Sequence, residues 1–517
     1  MQQFKYLAAS TAALAASVAP ALAQEAESLD ARVNAAFAAA TGPFVSLIFA
    51  PFPGTTFPWI VMWLVVAASI FTLYFGFVQF RYFFHSISLV KGDYSDPNDA
   101  GEVSHFQALA TALSGTVGLG NIAGVAVAVG IGGPGATFWM ILAGLLGMAS
   151  KFTECTLGVK YRNEYPDGTV SGGPMYYMSK GFDELGLPGG KILAVLFSIF
   201  CILGALGGGN MFQANQAHAQ ITQITGEYPG WITGIIFAAV VFAVIVGGIK
   251  SIARVTEKVV PFMGIMYVAA ALIILLVNFD MIGWAFGQIF AGAFTGLGVA
   301  GGFVGALIQG FKRAAFSNEA GVGSAAIAHS AVRTKEPITE GFVSLLEPLI
   351  DTVVICTMTA LVIVISQQLI VDEATGLYML NEAGTAIATV DGNSGVALTS
   401  AAFGSGISWF PYVLALAVVL FAFSTMISWS YYGLKAWTYL FGEGHTKELI
   451  FKIIFCVFIV IGAAASLGPV IDFSDAAIFA MAVVNITALY FLMKLVRAEL
   501  ASYGARLKSG EIKKFEH

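Results

Sequence analysis

Ser114-Gly115-Thr116-Val117-Gly118-Leu119-Gly120-Asn121 lies inside an apolar stretch running from about Val103 to Ile131. Each glycine in a helix interior costs about 1 kcal/mol relative to alanine, so a continuous helix is weakest here. Two readings fit that weakness. Gly120 and Gly124 form a GxxxG pattern, which can serve simply as a close helix-packing face. Alternatively the helix breaks, and the freed N–H and C=O groups are tolerated at membrane depth only where they face protein or a watery cavity, which marks a binding site.

Working outward, 57% of the chain is hydrophobic and 11% charged, with a mean hydropathy of +0.81. So few charges cannot clothe a soluble globule, and the chain reads as an all-α polytopic membrane protein. The net charge of −6 says little about partners, because in a membrane the placement of each sign matters more than the sum. Nothing in the composition points to nucleic acid. Cys155, Cys201, Cys356 and Cys456 are scattered without CxxC or CxxH spacing and are expected to pack as small hydrophobes.

Residues 1–23 carry Lys5, an apolar run and Ala21-Leu22-Ala23, the pattern of a cleaved signal peptide, with 24–56 as a periplasmic segment after it. Spans need about 20 apolar residues to cross ~30 Å of hydrocarbon. Such stretches fall near 57–80, 103–131, 135–158, 192–214, 231–249, 258–277, 299–325, 342–370, 409–432, 449–468 and 474–496, about eleven in all. Residues 278–298 and 371–408 read as external connections, the first as an interfacial or re-entrant helix. With the amino terminus outside, every Lys and Arg except Lys5 and Arg32 falls in cytoplasmic loops, the cytoplasmic halves of spans, or the tail at 497–517. The carboxyl terminus is then cytoplasmic and the site of residence a bacterial inner membrane.

Setting aside the span at 57–80 leaves ten, which divide into sets of five at 103–277 and 299–496 with opposite orientation, the plan of inverted-repeat transporters. Matching positions should then carry matching breaks. The first span of the second set holds Gly301-Gly302, Gly305 and Gln309-Gly310-Phe311, and Gln309-Gly310 is expected to interrupt it.

A sodium ion wants about five or six hard oxygens, which unwound carbonyls and facing hydroxyls supply. Ser114 and Val117 offer carbonyls; Phe421 offers another, beside the hydroxyls of Ser424 and Thr425. Those hydroxyls equally suit bonding to their own helix. An amino-acid carboxylate fits the N–H groups of Leu119 and Gly120 at the start of the second half-helix. Asn121 either touches substrate or ion, or caps that half-helix. Asn210 and Gln213, just after the glycine run 207–209, face either the cavity or a neighbouring helix, and Trp429 lies one turn beyond Thr425 as a pocket wall or a packing residue. Lys312, Arg313, Glu319, Glu347, Asp351, Lys151 and Glu154 read as pairing or gating charges, with Glu347 and Asp351 on one helical face. No nucleophile triad, zinc spacing or phosphate loop stands out, so the chain is not read as an enzyme.

Ser114–Asn121, Gly132-Gly133-Pro134-Gly135-Ala136-Thr137-Phe138-Trp139-Met140, Gly172-Gly173-Pro174-Met175-Tyr176-Tyr177 and Phe316-Ser317-Asn318-Glu319-Ala320-Gly321-Val322-Gly323-Ser324 together resemble the alanine or glycine:cation symporter family, the sodium:alanine symporters. The resemblance covers nearly the whole chain after the leader; Ile141 departs from the tryptophan the family often places there. It implies a LeuT-type fold of two inverted five-span halves plus an extra amino-terminal span. It also implies sodium-driven symport of small neutral amino acids, alanine or glycine, by alternating access. By that likeness Ser114, Val117, Phe421, Ser424 and Thr425 match a sodium site, and Thr116 with Asn121 matches part of another. Gly118, Leu119 and Gly120 match the carboxylate-binding backbone, while Gln213, Gln309, Phe311 and Trp429 are carried over as pocket residues. Sodium as coupling ion, the amino acid and the lipid bilayer are the partners implied; no cofactor and no obligatory protein partner is. Proton coupling is the rival within transport, and a channel the rival outside it.

Overall fold

The computed structural model describes residues 29–166, 168–295, 302–372, 374 and 377–514. The signal-peptide reading of 1–23 lies outside them. The principal helices are α1 (Leu29–Ile48), α2 (Trp59–Tyr74), α3 (His105–Thr116), α4 (Val125–Gly132), α5 (Gly135–Lys160), α6 (Gly190–Leu206), α7 (Phe212–Thr225), α8 (Gly230–Ile245), α9 (Gly248–Val277), α10 (Phe279–Thr295), α11 (Gly302–Asn318), α12 (Ala325–His329), α13 (Pro337–Ser344), α14 (Thr357–Ile365), α15 (Phe410–Phe441), α16 (His445–Ala464) and α17 (Leu467–Ser509).

Among the described residues six helical runs are long and apolar enough to cross a membrane: Gly135–Lys160, Gly190–Thr225, Gly248–Val277, Pro337–Ile365, Phe410–Phe441 and Leu467–Ser509. The bent pair His105–Thr116 and Gly120–Gly132 makes a seventh. Helices α2, α8, α11 and α16 are shorter and lie where the other spans are expected. This is an all-α, multi-span membrane protein, and its sequence makes it one because unpaired backbone groups are not tolerated in hydrocarbon. The four cysteines are free, and all but Cys456 are buried.

Local signals set the helix ends. Ser104 and Gln107 form a reciprocal capping box that starts α3. Glycine lets helices touch: a Cβ on Gly135 would fall 2.1 Å from the Gly292 carbonyl carbon, so α5 and α10 meet backbone to backbone. The described part of that connection, Phe279–Thr295, is a helix packed on α5, with Phe290 and Phe294 facing outward.

Two further expectations change. The 371–408 segment is more than an external connection, because its helix Val396–Gly406 reaches the first break, where Thr399 Oγ1 donates to the Ile122 carbonyl at 2.9 Å. Nor are the cations one-sided. The basic loops do converge at one face, through Lys160–Glu499 (2.6 Å), Arg506–Glu336 (2.7 Å) and Lys514–Asp93 (2.5 Å). Lys312 and Arg313, however, both pair with Asp475, and Lys312 lies over the Phe49 ring, at the opposite end of α2 from Arg81.

Candidate substrate and ion site

Helix α3 ends at Thr116, the chain turns out of helical geometry at Val117, and a π-turn at Gly120–Gly124 leads into α4. The halves are bent by 50°. The glycines thus break this helix, and Gly118 has a second reason to be glycine: a Cβ there would stand 2.4 Å from Thr425 Oγ1 on α15.

That approach brings the expected sodium ligands together. Thr425 Oγ1 donates to the Ser114 carbonyl at 3.0 Å, Ser114 Oγ donates to the Ser424 carbonyl at 2.6 Å, and Ser424 Oγ donates to the Phe421 carbonyl at 3.0 Å. Val117 follows on the same turn, one residue before Gly118. Thr116 stands apart, its hydroxyl bonded back to Ala112 and Leu113 of its own helix.

The backbone expected to receive a carboxylate is already engaged. Leu119 N–H donates to Gln213 Oε1 at 3.1 Å, and Gly118 N–H donates to Asn121 Oδ1 at 2.9 Å. Gly120 opens the second half-helix, where the first N–H groups lack an intrahelical acceptor. Gln213 reaches Leu119 because a π-turn at Gly207–Met211 separates α6 from α7, and its own amide N–H donates to the Gly208 carbonyl at 2.9 Å. Asn210, by contrast, bonds across to the Phe455 carbonyl. Trp429 lies against the same turn, since a Cβ on Gly209 would meet its ring at 2.2 Å, and its indole N–H donates to Glu319 Oε1 at 3.0 Å.

The second break is not at Gln309-Gly310. Helix α11 runs unbroken through both residues to Asn318. Gly310 is there for contact, because a Cβ would lie 2.5 Å from the Ala136 carbonyl oxygen. Gln309 packs beside Gly132 at the far end of α4, and Phe311 packs toward Trp139, so neither meets the first break. The chain breaks at Glu319–Gly323, where Glu319, Gly321 and Gly323 all take positive φ. Glu319 is held in that uncommon geometry by Ser324 and Trp429 on its carboxylate.

Ser317 and Phe316, rather than Gln309 and Phe311, are what α11 presents to the first break. The Ser317 Cα would be 3.3 Å from a Cβ on Gly120, and the Phe316 ring lies beside Gly208 and Phe212. Asp351 joins the two broken helices: its carboxylate accepts from Asn121 Nδ2 at 2.6 Å, Ser317 Oγ at 2.9 Å and Thr352 Oγ1 at 2.6 Å. Glu347, four residues earlier, turns elsewhere to Lys151 and His329. Asp351 lies in a π-helix from Leu349 to Cys356, one turn beyond Glu347, and so meets different neighbours.

A membrane protein with a broken helix, convergent hydroxyls and backbone ends at its centre belongs to the class that moves small solutes and ions. The comparisons make it specific. Residues 44–517 match the sodium:alanine symporter family, and the chain belongs to that family. It is 39% identical to the sodium/alanine symporter AgcS of Methanococcus maripaludis, over 89% of this chain and 97% of that one. It is 33% identical to a probable sodium/glutamine symporter, GlnT, of Bacillus subtilis, over 85% and 87% of the two chains. The amino-acid carrier protein AlsT of the same organism is 32% identical, over 85% and 88%. The chain is a transporter rather than an enzyme, and amino-acid and cation symport is the activity its family supports.

Proposed function

We propose that this chain couples inward sodium movement to uptake of a small neutral amino acid, alanine or glycine, by alternating access in a bacterial inner membrane. The observation that carries the reading is the junction of α3 and α15, where Ser114, Phe421, Ser424 and Thr425 bring hydroxyls and carbonyls together beside the unwound Val117. Hard oxygens without a carboxylate suit a monovalent cation. Sodium bound there stabilises the unwound turn next to the substrate amides.

Gln213 Oε1 on the Leu119 N–H occupies the place of a substrate carboxylate oxygen, so an arriving amino acid displaces it. Trp429, pressed against Gly209 and tied to Glu319, walls the pocket and restricts it to short side chains. Asp351 acts through Asn121, which in turn holds the Gly118 N–H. The face where the basic loops gather is read as cytoplasmic, with the amino terminus outside and the tail inside.

Uptake of labelled alanine by proteoliposomes, challenged with glycine, serine, glutamine and leucine with and without sodium, tests the substrate reading. Competition by glycine and serine but not by leucine, and only with sodium, is expected. Equal competition by leucine or glutamine would overturn the small-pocket assignment.

A further inference from the structure

Five side chains outside the site form a continuous buried chain. His105, the first residue of α3, places Nδ1 2.5 Å from Glu340 Oε2, and Glu340 Oε1 lies 2.5 Å from His329 Nδ1. His329 Nε2 lies 2.6 Å from Glu347 Oε1, and Glu347 Oε2 accepts from Lys151 Nζ at 3.1 Å. All five are at most 2% exposed. The surrounding elements add Cys155 of α5, whose sulfur lies within 4.8 Å of a ring nitrogen of His329 and a carboxylate oxygen of Glu347. Glu154, bonded to Asn485, and Glu319, bonded to Ser324 and Trp429, act on Lys151. The Tyr177 hydroxyl is also bonded to Asn485, and the Tyr432 hydroxyl is buried without a hydrogen-bond partner among the described residues.

The decisive point is arithmetic of donors. A neutral imidazole has one N–H and one bare nitrogen. Both nitrogens of His329 stand at hydrogen-bond distance from a carboxylate oxygen, so a neutral ring would bring two lone pairs together in a buried site. Both contacts are satisfied only if the triad holds one proton more than a neutral imidazole between two carboxylates.

We propose that His329, clamped by Glu340 and Glu347, is a proton-binding site whose occupancy changes during the transport cycle. The inference rests on the transport reading. His105 lies on the first broken helix, His329 closes the second, and Lys151 lies on α5, so the chain spans elements that move apart if the cytoplasmic side opens. Beside it Arg162 donates to the carbonyls of Val332 (2.5 Å), Ala100 (2.8 Å) and Thr334 (3.1 Å), tying the same loops shut. Opening admits water, which satisfies one His329 contact in place of the proton. The proton leaves to the cytoplasmic phase and is retaken from it on closing. It therefore sets how readily the protein opens and supplies no driving force.

The test is sodium-driven uptake of labelled alanine into proteoliposomes at fixed external pH, with internal pH stepped through neutrality. Acidifying the interior is expected to slow uptake, towards about tenfold per pH unit, the limit for one linked proton. A flat profile for the unaltered protein overturns the proposal. In Glu340→Gln the amide donates to His329 Nδ1 while its oxygen keeps His105, so a neutral ring satisfies both contacts and the normalised profile flattens. A Glu340→Gln profile as steep as that of the parent also overturns it. If Glu340→Gln does not fold, the profile of the unaltered protein decides alone. Absence of sodium-driven uptake at every internal pH rejects the transport reading, and this proposal with it.

Discussion

In the proposed sodium site, single oxygen atoms decide whether the ion is held. The Thr425 hydroxyl reaches α3 because Gly118 lets it approach, whereas the Ser424 hydroxyl bonds back to Phe421 of its own helix and only the Ser424 carbonyl meets Ser114. Replacing both, Ser424→Ala with Thr425→Ala, should raise the sodium concentration for half-maximal uptake about tenfold or more, since about 1.4 kcal/mol of lost ligand energy is a factor of ten. Uptake titrated against sodium checks this, and an unchanged half-saturation point would remove these hydroxyls from the site. Gln213 is the complementary case, a side chain that holds the Leu119 N–H and that the proposed mechanism has the substrate displace.

Among the helices, Gly310 and Gly321 make opposite predictions. Gly310 lies in an unbroken helix against α5, so Gly310→Ala should destabilise the fold by about 1–3 kcal/mol through overpacking, seen as a lower Tm in detergent. Gly321 lies in the break at φ 83°, and Gly321→Ala should cost transport per folded molecule more than it costs Tm. The reverse pattern would put the hinge back at 309–310. This contrast shows what the sequence can disclose. The glycine cluster at 115–120, with its neighbouring serine and facing hydroxyls, was legible because density of glycine and a matching partner helix coincide there. The second break was not, because a lone glycine in an apolar run serves contact as readily as bending, and the residue that turns first, Glu319, is not glycine. The Asp351 role was hidden because spacing along one helix does not say which neighbours each carboxylate meets: Glu347 reaches Lys151 and His329, Asp351 reaches Asn121 and Ser317. Val396–Gly406, short and set in a polar connection, gave no hint that it reaches Ile122.

Across the whole molecule, two broken helices share one centre through Asn121, Ser317 and Asp351, while the loops gathered by Arg162 close one end. In the proposed cycle the work comes from the ion. One elementary charge moved inward gains about 2.3 kcal/mol per 100 mV, enough for roughly fiftyfold accumulation of a neutral amino acid. The measurement that tests this most directly is labelled alanine uptake in proteoliposomes under an inward sodium gradient with pH equal on both sides, compared with a pH gradient and no sodium. Accumulation above equilibrium with sodium alone is the result expected. Accumulation that follows the pH gradient and ignores sodium would contradict the account.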